Sequence, residues 1–172
     1  MAFTVERLTM LEGHAGALYA LASGRSDELL FSAGSDKVVA EWSLKETASQ
    51  PFAIRTEASV YSLCHLRNQQ LLAVGRSDGG LHLIDLKERK EVKYFALHQQ
   101  GIYDLLAVDD GNTLIAASGD GTLSVWNTGS YELLRHVSLS TEKLRDVAIS
   151  ADGTLLAAAA GDGIVYVLDI AA

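Results

Sequence analysis

The chain contains one cysteine and one proline in 172 residues, and aromatic residues make up only 7% of it. The lone thiol, Cys64, excludes an internal disulfide and fits a reducing compartment. Basic residues are scarce, 14 against 22 acidic ones, and the formal net charge of −8 argues against a nucleic-acid surface. Long hydrophobic runs are missing. The longest purely apolar stretch, Leu155 to Ala160, is far too short to span a membrane. The opening MAFTVERLTM has no charged-then-apolar secretion pattern. These features predict a cytoplasmic protein that meets neither membrane nor nucleic acid. Helix-period stripes and low-complexity linkers are also lacking, which predicts a single all-β unit.

What is present is a 42-residue period without insertion or deletion. Asp36, Asp78, Asp120 and Asp162 fall one period apart, as do Leu30, Leu72, Leu114 and Leu156. Trp42 and Trp126 are two periods apart, as are His14 and His98. A fixed repeat of this length signals an array of small sheets rather than one mixed core. Each period reads as four short strands, a to d, separated by Gly/Asp/Asn/Ser clusters. In the first unit these are 17–22, 29–33, 38–44 and about 50–55. The turn between strands b and c recurs as Ser35-Asp36-Lys37, Ser77-Asp78-Gly79, Gly119-Asp120-Gly121 and Gly161-Asp162-Gly163, where glycine suits the positive φ of hairpin turns. The units span about 13–55, 56–97, 98–139 and 140–172. The fourth stops before a strand d, whereas residues 4–12 lie in strand d phase: Leu8 aligns with Val92 and Leu134, and Leu11 with Phe95 and Val137. This predicts that the N-terminal segment completes the last sheet, within the chain or in a partner chain, and so removes an open edge.

Gly13-His14 before strand a, Ser32 in strand b, Asp36 in the b–c turn and Trp42 in strand c resemble the WD-repeat β-propeller family. The run SGDGTLSVW, with His98, Asp120 and Trp126, repeats the pattern, and GDGIVYVLD and SDGGLHLID echo it. The resemblance covers the whole chain. It implies a propeller of four-stranded antiparallel blades, four per chain, in which His, Ser, Asp and Trp form a hydrogen-bonded network. That set is expected to be complete only in the first unit. Ala116 replaces Ser in the third, and Ile84 and Leu168 stand at the Trp position beside Asp78 and Asp162. Propellers close with roughly 4–8 blades, so three arrangements remain open: half of an eight-bladed ring made by two copies, a piece of a longer protein, or a four-bladed ring. The small residues of strand b (Ala33, Ala73, Ala116, Ala117, Ala157–Ala160) suit narrow wedges and many blades. The preferred expectation is a homodimer closing an eight-bladed ring, a low-cost form of symmetric exchange.

The catalytic and metal readings are weaker. His14, Ser32 and Asp36 imitate a triad, but the same positions recur as a structural network, and no Gly-x-Ser-x-Gly elbow is present. Each Gly-Asp-Gly turn supplies one carboxylate, too few for calcium. No cofactor or metal is expected. The basic cluster Lys87, Arg89, Lys90 and Lys93 lies on the c–d turn and outer strand and reads mainly as protection of an exposed edge. More telling is strand a, where Tyr19, Tyr61, Tyr103 and Arg145 share one position and Asp104 and Asp146 follow it. In the resembled family this strand lies near the central channel and binding face. Tyr and Arg are enriched at binding hot spots. The expected function is a non-catalytic scaffold for a protein or peptide partner. The alternatives are a purely structural half-propeller or fragment of a longer propeller protein, and, less favoured, a propeller enzyme with a channel-mouth site formed by Asp104, Asp146, Arg145 and the three tyrosines.

Overall fold

The computed structural model describes residues 4–45 and 48–170, with residues 48–51 described by backbone alone. Residues 46–47 and 171–172, assigned above to the first and fourth units, lie outside the described residues. The first sheet orders β1 (Leu18–Ser23), β2 (Leu29–Gly34), β3 (Val38–Ser43) and β4 (Ala48–Arg55). The second holds β5 (Val60–Leu66), β6 (Leu71–Arg76), β7 (Leu81–Asp85) and β8 (Lys90–Phe95). The third holds β9 (Ile102–Val108), β10 (Thr113–Ser118), β11 (Thr122–Asn127) and β12 (Leu133–Ser138). The fourth has three strands, β13 (Leu144–Ile149), β14 (Leu155–Ala160) and β15 (Val165–Asp169). All pairings are antiparallel between neighbours in sequence, and the innermost strands adjoin, β1 on β5, β5 on β9 and β9 on β13.

The period survives down to single hydrogen bonds. The amides of Ser35, Ser77, Gly119 and Gly161 each donate to the carbonyl 18 positions earlier, on Ala17, Ser59, Gly101 and Lys143, at 2.8 Å every time. Leu44, Leu86, Thr128 and Ile170 likewise donate to Glu28, Gln70, Asn112 and Thr154.

Alternation along the strands gives each sheet two apolar faces. The three junctions between consecutive sheets are three apolar clusters. Phe31, Ala33 and Val39 meet Val60, Leu72 and Val74; Ala73, Leu81 and Leu83 meet Ile102, Leu114 and Ala116; Ile115, Ala117 and Leu123 meet Leu144, Leu156 and Ala158. Burying each large side chain contributes on the order of 1.5–3 kcal/mol. The alanines Ala33, Ala73, Ala116, Ala117 and Ala158 are fully buried, so the sheets approach closely along strand b. One polar departure sits in this frame. Glu41 occupies the position of Leu83 and Val125 and is fully buried, held by a bidentate pair with Arg25.

The two outer faces of the array are open. On the first sheet Leu18 and Leu21 are 50% and 63% exposed; on the fourth, Leu155, Val165 and Val167 are 45%, 64% and 64% exposed. The expected completion of the last sheet within the chain is not seen. Residues 4–12 form no strand, β15 is an edge, and Val5 and Leu8 are exposed. The physical reason is that the slot beside β15 adjoins the first sheet only when the ring is closed, and here it is not.

The b–c turns also lock neighbours together. Gly121 has φ +81°, and a Cβ there would lie 1.9 Å from the carbonyl oxygen of Ser140 in the loop leading to the fourth sheet. Gly163 has the same φ with nothing within 4 Å. Gly163→Ala therefore costs only the left-handed backbone penalty of about 1–2 kcal/mol. Gly121→Ala is expected to cost at least ~1 kcal/mol more because the neighbouring loop must shift. Urea unfolding of the two variants reads the difference; equal losses would refute the contact.

Candidate functional site

The aspartate of each b–c turn does one constant thing. One carboxylate oxygen accepts the N–H two residues on: Val38 for Asp36, Gly80 for Asp78, Thr122 for Asp120 and Ile164 for Asp162. This closes the turn locally. What changes is the partner of the second oxygen. In the first sheet it is His14 Nδ1 at 2.7 Å with the Ala15 N–H, and in the third His98 Nδ1 at 3.2 Å with the Gln99 N–H. In the fourth it is the Ser140 hydroxyl at 2.6 Å, joined by the Tyr166 hydroxyl. His14, Ala15, His98, Gln99 and Ser140 lie on the loop before strand a, so they tie that loop to the turn, whereas Tyr166 reaches it from β15. The second sheet is different. Arg76, at the end of β6, forms a bidentate pair with Asp78, and a 3.6 Å ion pair with Glu57 is what remains of the tie.

The third network corrects the sequence expectation of an incomplete set. Ala116 does replace Ser32, but the hydroxyl has crossed to the paired strand. Ser32 faces Ala40 in the first sheet, and Ala116 faces Ser124 in the third. Ser124 Oγ lies 2.7 Å from His98 Nε2 and accepts the Trp126 indole N–H at 2.7 Å, as Ser32 does for His14 and Trp42. A neutral His98 whose Nδ1–H faces Asp120 sets one donor order in the third sheet. The indole N–H donates a hydrogen bond to Ser124, the Ser124 hydroxyl donates to His98 Nε2, and Nδ1–H donates towards Asp120. Burial lowers the His98 pKa and keeps the ring neutral, which this order requires. Burial alone would raise the Asp120 pKa, but bonds from Thr122 and the Gln99 N–H, with His98 close by, hold it below its ordinary value. Asp36 is lowered in the same way: burial opposes, while His14 and the Ala15 N–H prevail. Both serine hydroxyls are buried and engaged by indole N–H groups, an arrangement unsuited to a nucleophile.

The inner strands carry the second feature. In all four, the ladder to strand b skips one residue. Leu18 and Ala20 pair with Gly34 and Ala33, Val60 and Ser62 with Arg76 and Gly75, Ile102 and Asp104 with Ser118 and Ala117, Leu144 and Asp146 with Ala160 and Ala159. The skipped residues are Tyr19, Tyr61, Tyr103 and Arg145. A bulge re-aims its side chain, and these four are brought into one continuous stack. Tyr19 meets Tyr61 edge-on at 5.5 Å, Tyr61 stacks on Tyr103 at 5.2 Å, and the Arg145 guanidinium lies 4.5 Å from the Tyr103 centroid. Lys143, not singled out from sequence, adds its ammonium 5.9 Å from Tyr103.

Asp104 and Asp146 accompany the row. Asp104 accepts the N–H of Leu105 and, across the junction, the N–H of Val147, each at 2.9 Å. Burial pushes its carboxyl above the ordinary value, against the Val147 bond and with Asp146 adding to the rise. Ser62, one unit earlier, makes the corresponding link by donating to the Ile102 carbonyl at 2.8 Å. Asp104 is thus a clip between inner strands. No group of three or more metal-capable side chains occurs among the described residues.

Residues 5–43, 89–127 and 131–169 match the WD domain, G-beta repeat family. The chain belongs to this family. The second and third matches run from the outer strand of one sheet, β8 or β12, through strand c of the next. In the same frame the first match begins within residues 5–12, the outer-strand position. WD repeats are in general protein-interaction scaffolds. No curated protein matches the chain. Among the described residues of this WD-repeat chain, no helix is long and apolar enough to cross a membrane.

Ser124→Ala leaves two buried partners unsatisfied and is expected to cost about 1–3 kcal/mol. Adding Ala116→Ser returns the hydroxyl from the opposite strand, as in the first sheet, and should recover most of the loss in thermal unfolding. A double variant no better than the single would show that the two positions are not equivalent.

Proposed function

We propose that this WD-repeat chain is a non-catalytic scaffold that presents the row Tyr19, Tyr61, Tyr103 and Arg145 to a protein or peptide partner. The observation that carries this is the bulge placed at the same residue of all four inner strands, which gathers the four side chains into one stack. Tyr19 is 52% exposed at its open end. The loops 13–16, 98–101 and 140–143, anchored through the turn aspartates, frame the row, with 56–58 held more loosely. Rigid aromatic side chains lose little entropy on binding and serve as anchors. A scaffold role also accords with hydroxyls already committed to indole N–H groups and with Asp104 clipping two strands. Burial pushes the Cys64 thiol up to about 11, so it is inert, and a reducing, cytoplasmic setting suits it. Peptides selected from a random display library on the wild-type chain provide the test. Tyr61→Ala with Tyr103→Ala should weaken the tightest of them at least about tenfold. Unchanged affinity would remove this face from consideration.

A homodimer closing an eight-bladed ring is the assembly that accords with the two open apolar faces. The first sheet exposes Leu18 and Leu21 at the positions that Val60 and Leu63, Ile102 and Leu105 bury elsewhere. The fourth exposes Val165 and Val167 where Leu81 and Leu83 are buried. Each free face therefore has the pattern of one half of an internal junction, and faces of this kind mark an interface. Residues 5–12 of each copy, at the outer-strand position of the family frame, would lie along β15 of the other. Light scattering over a concentration series should give twice 18.4 kDa. A compact monomer would refute the dimer.

A further inference from the structure

A cleft of about 440 Å³ opens between the first two sheets, distinct from the tyrosine row and formed by β4, the following loop, β7 and β8. Its origin is the divergence of the second unit. Where the first unit has His14 and Trp42, the second has Thr56 and Ile84, and both line the cleft. In the third unit the Trp position is filled by Trp126, 4.1 Å from Phe95. The corresponding hollow in the first sheet, beside His14 and Trp42, is smaller, about 280 Å³.

The charges around this cleft are also particular to it. Arg55 comes from the end of β4, Arg76 from the end of β6, and the consecutive Arg89 and Lys90 from the c–d turn and the start of β8, four cations from three places in the chain. The repeat itself supplies the comparison. Arg55 corresponds to Gly13, Leu97 and Leu139, and Arg76 to Gly34, Ser118 and Ala160. Arg89 corresponds to Val5 and Tyr131, Lys90 to Glu6 and Glu132. None of these is basic. Against the four cations the lining has two carboxylates, Glu57 and Glu91. Asp78 and Glu57 both engage Arg76, and Glu91 engages His82. With Asp78 included, four cations meet three carboxylates, a formal excess of one positive charge on a chain whose formal net charge is −8.

The floor is not merely polar. Tyr94, 46% exposed, stacks on His82 at 4.6 Å and lies 6.0 Å from the Arg76 guanidinium. Half-buried Ile54, from β4, supplies the aliphatic part of the lining. An aromatic and an aliphatic surface rimmed by Arg55 and Lys90 matches a segment carrying both carboxylate or phosphate groups and apolar side chains. We infer that this cleft is a second binding site, specific for an acidic segment of a partner protein that lays apolar side chains on Tyr94 and Ile54.

Fluorescence anisotropy with a labelled peptide alternating glutamate and leucine tests this on the full chain, at about 20 mM and about 150 mM salt. The wild type is expected to bind, more weakly at the higher salt. Arg55→Glu with Lys90→Glu alters two exposed rim residues and should reduce affinity about tenfold or more at low salt. Lys87→Glu with Lys93→Glu makes the same charge change on the same outer segment but outside the cleft lining, and should have a much smaller effect. The same peptide with phosphoserine for glutamate shows which anion is preferred. No binding by the wild type, or equal losses in the two double variants, would overturn the proposal. So would a single-stranded oligothymidylate binding as tightly as the peptide with the same dependence on Arg55 and Lys90, since that would make the site one for nucleic acid.

Discussion

A small sheet with two apolar faces must be covered on both, and no sheet of this chain can satisfy that condition alone. Each junction therefore joins the c-side positions of one sheet, such as Leu81 and Leu83, to the inner positions of the next, such as Ile102 and Leu114. Stability then belongs to pairs of neighbours rather than to any single unit. The same constraint explains why the alanines of strand b are fully buried and why the outer faces, with Leu21 and Val165, are left as two halves of a junction.

Within that stack the turn aspartates perform a narrower task. Each one closes its own hairpin through the N–H two residues on, and this part never varies. The tie from turn to preceding loop varies freely among histidine, serine and an arginine that belongs to the turn's own strand. Variation at this tie has consequences for the surface. Where His and Trp are present, the space beside the sheet is filled or small; where Thr56 and Ile84 stand instead, the cleft with Arg55, Arg76 and Lys90 opens. Divergence of one repeat from its neighbours creates a site that a uniform array would not have.

Much of this was legible in the chain itself. The period placed all fifteen described strands to within a few residues, because alternating apolar residues and Gly/Asp turns act locally. It also set Tyr19, Tyr61, Tyr103 and Arg145 at one position. The bulges that turn those side chains into a stack were not legible, since a skipped ladder position leaves no mark in the spacing of the residues. Nor was the role of Ser124. Its hydroxyl replaces that of Ser32 only because Ala116 and Ser124 face one another across two strands, and cross-strand neighbours are set by pairing register.

The sequence by itself determined the repeat, the strand pattern and the identity of the turn aspartates, all of which follow from short-range periodicity and turn chemistry. Only the tertiary structure decided which polar groups meet. Arg25 reaching buried Glu41, Asp104 clipping Val147, and Arg55 converging with Lys90 on one cleft each join residues many positions apart. Contacts of that kind depend on how far neighbouring sheets are rotated and how closely they pack. Those quantities are set by the whole interface and by no single stretch of chain.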